Sequence, residues 1–430
     1  MGLAATALTA WRPVFGAALL VISIPLTAGL GRDTVIPVFR VTEALTIVVG
    51  LGLAIHLLPL RRERPYTTLD VAVGVFGACA LMVPMLVLVL TDAPLDLATA
   101  RNVLAPVQYL ALYFIFSRVS YGQSDLRLLL QLAMGTSVLV ALVGIAQLAD
   151  VPGVRDLINA YYLRERPSSA ICQFGVCRPT SLLEHWSSFG AYAVMHYSIA
   201  LVLLTRRSPH FPAAWLTAVA TLNSVAALIS QTQAAVAGMI VATIVITLHA
   251  RRRVPRELGY GLAGIAIALV LFWPAVSARL EQQLGAAAGE DVAAPESLQT
   301  RQRYWAEIFI PALEPHVWFG TGTVIPTTVP DRLERYVDSE YLRMGFRAGI
   351  VGVAALIMLF AAVAIAAAAY SATARDDLWE AVSGTAFAFV VVLAVMGIAA
   401  EYTTYAGVAQ PLWTVIGLAG AARLAAAERA

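Results

Sequence analysis

Two carboxylates and two arginines stand at the head of one long apolar run: Asp338, Glu340, Arg343 and Arg347, with no further charge before Arg375. On a helix Arg343 and Arg347 lie one turn apart and repel each other, so they call for an anionic partner. Asp338 and Glu340 are one source. The other is a diphosphate, which guanidinium groups grip through paired hydrogen bonds. Either carboxylate also suits removal of a proton from a hydroxyl, and Asp338 or Ser339 suits capping of the helix that Tyr341 then enters. A second group lies upstream in Arg301, Arg303 and Trp305, where Arg301 and Trp305 are spaced to stack. A third closes an earlier loop, Arg178, Glu184, His185 and Trp186; it reads either as interfacial anchoring or as further polar chemistry at membrane level. His316 precedes the turn Phe319-Gly320-Thr321-Gly322 and reads first as a solvated loop histidine.

The elements that hold these groups are membrane helices. Hydrophobic residues make up 59% of the 430-residue chain, charged ones 13%, and the mean hydropathy is +0.76, which excludes a soluble domain. A span needs roughly 20 apolar residues. Twelve such segments run approximately 14–30, 36–60, 69–91, 100–119, 126–149, 186–205, 212–230, 232–249, 259–276, 342–369, 381–399 and 405–424. The first is read as a retained span, and the fold class is all-α and polytopic. Every basic residue is arginine. Clusters at 61–64, 118–127, 206–207 and 251–256, with Arg375, Arg423 and Arg429, fall on one set of connections, so both termini are expected in the cytoplasm.

By alternation the two long connections, 150–185 and 277–341, face outside a single membrane domain spanning 1–430. The second carries ten acids against five arginines and an amphipathic helix at about 297–313, suited to lying along the bilayer surface. An oxidising exterior permits a disulfide between Cys172 and Cys177, and the spacing leaves two free thiols as the alternative. No CxxC or histidine-rich spacing points to a metal. Gly345 and Gly349 form a GxxxG pair that allows a second helix to pack closely.

The order and spacing of these features resembles the O-antigen ligase and O-antigen polymerase superfamily of bacterial membrane glycosyltransferases. The resemblance covers roughly the second half of the chain. It rests on Arg178-Pro179-Thr180, the segment Ser230 to Gly238, Arg301 to Trp305, Phe319 to Gly322, and Asp338 to Gly352. It implies a GT-C-like fold and transfer of a glycan from an undecaprenyl diphosphate carrier to a sugar hydroxyl at the outer face of the inner membrane. No metal or other cofactor is implied, and nucleic acid is not a partner. Membrane lipids are partners, and a chain-length regulator is a candidate one. Arg301 or Arg303 then takes the place of a diphosphate ligand and Asp338 that of the acceptor-activating residue, with Glu340 second. Ligases of this superfamily typically carry histidine at the position of Asp338, which favours polymerisation of a capsular, exopolysaccharide or O-antigen repeat over ligation to a lipid A core. Many members carry arginine where this chain has Gln233, so Arg178, Arg343 or Arg347 is expected to complete the phosphate clamp, with Tyr341 beside them.

A non-enzymatic transporter would gather ionisable groups at mid-membrane, where this chain offers chiefly His56, His196 and Asn223. A peptidoglycan-type polymerase has a related helical plan.

Overall fold

The computed structural model describes residues 2–32, 34–58, 66–93, 96–162, 172–173, 176–250, 296–323, 337–373 and 376–427, with isolated positions between them. Outside it, isolated positions apart, lie the ninth apolar segment, the arginines of 61–64 and 251–256, Arg375, Arg429, and the side chains of Cys172 and Cys177.

Eleven of the twelve apolar segments are helices. They are α2 (Pro13–Thr27), α3 (Val41–Leu57), α4 (Thr68–Leu90), α5 (Leu97–Ser117), α6 (Gln123–Leu148), α8 (Trp186–Thr205), α9 (Ala213–Ile229) and α10 (Gln233–Ala250). After the second long connection come α13 (Glu340–Thr373), α14 (Asp377–Met396) and α15 (Ala406–Ala427). Five of the described helices are long and apolar enough to cross a membrane: α4, α6, α8, α13 as far as Ser371, and α14. Two helices escape the apolar pattern, α1 (Gly2–Trp11), which packs along α3, and the short α7 (Val154–Tyr161). The second long connection carries α11 (Glu296–Tyr304), a π turn at Trp305–Phe309 and α12 (Ile310–Leu313). One hairpin of two residues per strand pairs Cys172–Gln173 with Val176–Cys177 and sets Cys172 opposite Cys177.

Side chains close the starts of α4, α5 and α14. Thr67 and Asp70 exchange bonds at the start of α4, Asp96 accepts from Thr99 N at 2.7 Å, and Asp376 accepts from Leu378 N at 3.0 Å. The charged pairs then sort to two ends of the bundle. Arg12–Asp125, Arg118–Asp70 and Arg206–Glu380 close one end, while Arg32–Glu43, Arg40–Glu184 and Arg343–Glu401 lie at the other. Between them α8 is buried along its whole length and packs on α6, α9, α10 and α14. The mid-span polar groups find partners inside this packing: His196 bonds Tyr192 O at 2.8 Å, and Asn223 donates to Ser137 Oγ at 3.0 Å while its Oδ1 is left without a donor.

Two prolines break the backbone ladder where the functional end meets the bundle. Pro84 in α4 has no N–H for the carbonyl of Ala80, and Pro106 in α5 none for that of Asn102. Arg347 of α13 supplies both, donating from Nε to Ala80 O at 3.0 Å and from Nη2 to Asn102 O at 3.1 Å, with Val103 O at 2.8 Å. Its repulsion with Arg343 is thus answered by carbonyl dipoles together with the charge of Glu340. Replacing Arg347 with Met leaves the carbonyls of Ala80 and the exposed Asn102 without this donor, and the loss is expected to be about 1–3 kcal/mol. Thermal unfolding of the purified variant, read by tryptophan fluorescence, checks this; a melting temperature equal to the wild type contradicts it.

α13 itself is broken. Ala348 and Gly349 leave helical geometry, Gly349 with φ +64° and ψ −161°, and the turn after His316 docks into the break. Ile350 N donates to Val317 O at 2.8 Å, and Thr321 N to Phe346 O at 2.7 Å. A Cβ on Gly349 would lie 2.2 Å from the Trp318 carbonyl, and one on Gly320 would lie 2.4 Å from Phe346 O. The Gly345/Gly349 pair therefore receives the turn backbone at Gly349 and Leu313, the last residue of the short α12, at Gly345.

Candidate functional site

A cavity of about 730 Å³ opens at the end of the bundle where α13 begins. One wall is the α2–α3 connection with Arg32, Arg40 and Glu43; the opposite wall is the head of α13 and the α14–α15 connection, with Glu340, Arg343, Arg347 and Glu401. Glu184, just before α8, joins the first wall through Arg40 at 3.0 Å, and its other oxygen accepts from Ala406 N at 3.1 Å. Phe76, Tyr109, Tyr162, Tyr405 and Trp413 supply aromatic surface between them. Acids and arginines are evenly matched and largely paired, so the chamber offers polar handles without a large net field. That combination suits a ligand rich in hydroxyls that carries a limited number of negative charges.

At the head of α13 each charged group has a defined task. Ser339, and not Asp338, occupies the capping position: its Oγ lies 3.5 Å from Leu342 N and its carbonyl accepts from Arg343 N at 2.9 Å. Glu340 is buried, and its carboxylate accepts both the N–H of Thr403, at 2.8 Å, and the Thr403 hydroxyl, while its own N–H bonds Gly397 O at 2.8 Å. Those bonds lock α13 to the α14–α15 connection. Arg343 reaches Glu401 at 2.6 Å and remains 44% exposed, which leaves further N–H groups for a ligand. Tyr341 donates to Ala394 O at 2.6 Å and acts as a brace to α14.

Asp338 sits on the backbone just outside the cavity with φ +45°, a conformation that aims its carboxylate at Arg301, whose Nε donates at 3.1 Å. Arg301 and Trp305 were spaced to stack, yet each grips this segment separately: Trp305 Nε1 donates to Val337 O at 2.9 Å. Phe309, Val329, Val337 and Phe346 form a small apolar cluster beneath them, so the helix expected to lie along the bilayer surface packs its apolar side on the protein. Arg303 is exposed on the same helix. Near this pair stands Tyr402, whose fully buried hydroxyl has no hydrogen-bond partner and lies in the field of Arg301, Asp338 and Arg178; burial drives its pKa up. Arg178 stacks on Trp186 with its guanidinium 4.4 Å from the ring centre and donates to Gln231 O at 3.0 Å. Gln233 opens α10 two residues later and is exposed. His185 closes the N-terminus of α8, accepting from Ser187 N at 3.2 Å, and stacks on Tyr405. His316 is exposed, away from the cavity wall, in the turn that seats Gly320.

The structure thus brings the candidates together as two neighbouring groups. Glu340, Arg343 and Arg347 line the cavity; Arg301, Asp338 and Arg178 gather around Tyr402 beside it. Sequence reasoning passed over the groups contributed by other elements, namely Glu401, Thr403, Arg32, Arg40 and Glu43. A signal for two of them existed. Glu401 is the sole charged residue between Glu380 and Arg423, and Glu43 is the sole acid in the segment 36–60; charges so placed at a membrane boundary are functional by default.

No match to the chain was found among curated proteins. Residues 216–357, about a third of the chain, match the family model described as Wzy_C, O-antigen ligase, a stretch that holds most of α9, all of α10, Arg301, Arg303, Asp338 and the head of α13 with Glu340, Arg343 and Arg347. That stretch of the chain is similar to the O-antigen ligase family.

Proposed function

We propose that the chain is a membrane glycosyltransferase that takes a glycan from an undecaprenyl diphosphate carrier and passes it to a sugar hydroxyl, acting as a polymerase of lipid-linked repeats. The observation that carries this reading is the cavity itself: matched arginines and carboxylates, with aromatic surface, at the end of a helical bundle whose arginine-bearing segment lies in the matched family stretch. The cavity end faces the periplasm in this reading and the opposite end, with Arg118 and Arg206, faces the cytoplasm. The twelve-span count is supported by parity: α10 ends at the cytoplasmic end and α13 starts at the other.

Each group has a task in the reaction. Arg301 and Arg303, with Arg178 and the exposed edge of Arg343, meet the diphosphate and stabilise the charge it gains on leaving. Arg347 reaches the same place but spends two of its nitrogens on carbonyls, and Gln233 completes the polar rim near Arg178. The acceptor hydroxyl attacks the anomeric carbon while a carboxylate of the group Asp338, Glu340 and Glu401 removes its proton; Asp338 holds the place that the resemblance gives to acceptor activation. Anchoring the donor in lipid and the acceptor in the chamber makes positioning a large part of the rate. A chain-length regulator would act at the rim formed by 296–323.

The test is direct. Cells lacking the chain accumulate its own lipid-linked repeats, and purified protein given those repeats is expected to yield a product ladder; a single added unit on lipid A core indicates a ligase, and no product rejects the reading.

A further inference from the structure

Glu401 lies in the connection between α14 and α15, directly before the turn Tyr402–Thr404. Its side chain is only 12% exposed, yet its two oxygens are treated differently. Oε2 takes Arg343 at 2.6 Å, whereas Oε1 is buried with no hydrogen-bond partner. A buried carboxylate oxygen left without a donor is costly, and natural structures rarely keep one without a use for it. Glu401 is one of the residues that line the cavity. Asp338 and Glu340 are placed differently. Asp338 is bonded to Arg301 and is not among the residues lining the cavity, and both oxygens of Glu340 are held by Thr403.

We infer that Glu401 is the catalytic base of this site, accepting on Oε1 the proton of the acceptor sugar's hydroxyl. The inference rests on the glycosyl-transfer reading above. As the acceptor oxygen forms its bond to the anomeric carbon, its proton passes to Glu401. The bond from that carbon to the diphosphate oxygen breaks, and its electron pair leaves on the lipid diphosphate. Arg343 touches both partners, holding Glu401 through one N–H and presenting the others to the departing phosphate. Glu401 returns its proton to water before the next turn. Asp338 then serves as the positioning residue for Arg301.

The electrostatics agree with this role. Burial pushes the Glu401 carboxyl up to about 7; Arg343 pulls it down, and Glu340 and Asp338 push it up. Tyr405 faces it from its own segment. A base with a pKa close to ambient pH combines availability with proton affinity.

The experiment uses full-length protein in lipid nanodiscs with repeats extracted from cells lacking the chain. Glu401→Gln is expected to lower turnover by roughly 100- to 10,000-fold at an unchanged KM for the donor, with partial return in Glu401→Asp. Wild-type turnover is expected to rise with pH through a limb near 7, and Arg343→Gln to move that limb to higher pH, because the lost cation had lowered the carboxyl's pKa. Wild-type turnover in Glu401→Gln overturns the inference, and so does an unmoved limb in Arg343→Gln; the second arm decides the matter if Glu401→Gln fails to insert. Inactive wild-type protein overturns the reading beneath it.

Discussion

Gly349→Ala is expected to destabilise the protein strongly, by at least about 3 kcal/mol. Two independent penalties meet there. The residue adopts φ +64° with ψ −161°, a region that side chains avoid, and an added methyl would lie 2.2 Å from the carbonyl of Trp318. Relief by backbone movement would break the bonds from Ile350 N to Val317 O and from Thr321 N to Phe346 O, which seat the turn in the helix break. The turn ends α11, the π turn and α12, so its loss also loosens the support of Arg301. A fall in melting temperature together with protease cleavage between residues 313 and 323 is the expected result. A variant that unfolds at the wild-type temperature shows that the close approach is not needed.

The second large effect is kinetic. Asp338→Asn leaves a side chain of the same shape but removes the charge that holds Arg301 at 3.1 Å. With Arg301 uncoupled from the head of α13, the diphosphate loses its aligned cation, and turnover is expected to fall on the order of 100-fold while the protein still inserts. Because Asp338 pushes Glu401 up, its neutralisation should move the acid limb of the rate slightly toward lower pH and leave the limb present. Glu401→Gln should abolish that limb. Full polymer length from Asp338→Asn rejects a role for the pair, and complete disappearance of the limb returns the base assignment to Asp338.

The helices were legible because membrane spans write themselves as long apolar runs, and eleven of the twelve expected segments coincide with described helices to within a few residues. α1 escaped because it lies before a proline and a lone arginine, with no loop to announce it. The head of α13 stood out for a similar reason, as a dense set of charges at a membrane boundary. What one run cannot show is which distant segment answers each charge. Arg343 and Arg347 looked alike in sequence, four residues apart, yet one meets a carboxylate in the α14–α15 connection and the other meets carbonyls freed by Pro84 and Pro106. The prolines were visible, but their consequence depends on three helices meeting at one point. Glu340 looked like a free acid until Thr403 arrived from the far side of α14. Long-range partners are properties of packing, and they decide which of several similar residues is left available to a ligand.

The complete burial of α8 bears on how the protein is assembled. With a mean hydropathy of 1.4 against 2.6 for α4, it is the least oily of the five helices long and apolar enough to cross a membrane, and it carries Ser187, Ser188, His196 and Ser198 along its length. A segment of that kind gains little from lipid tails and gains much from neighbours that answer its hydroxyls. Its residence in the bilayer therefore depends on α9 and α10 arriving behind it during synthesis, so the centre of the bundle is secured by chain emerging later and not by its own greasiness.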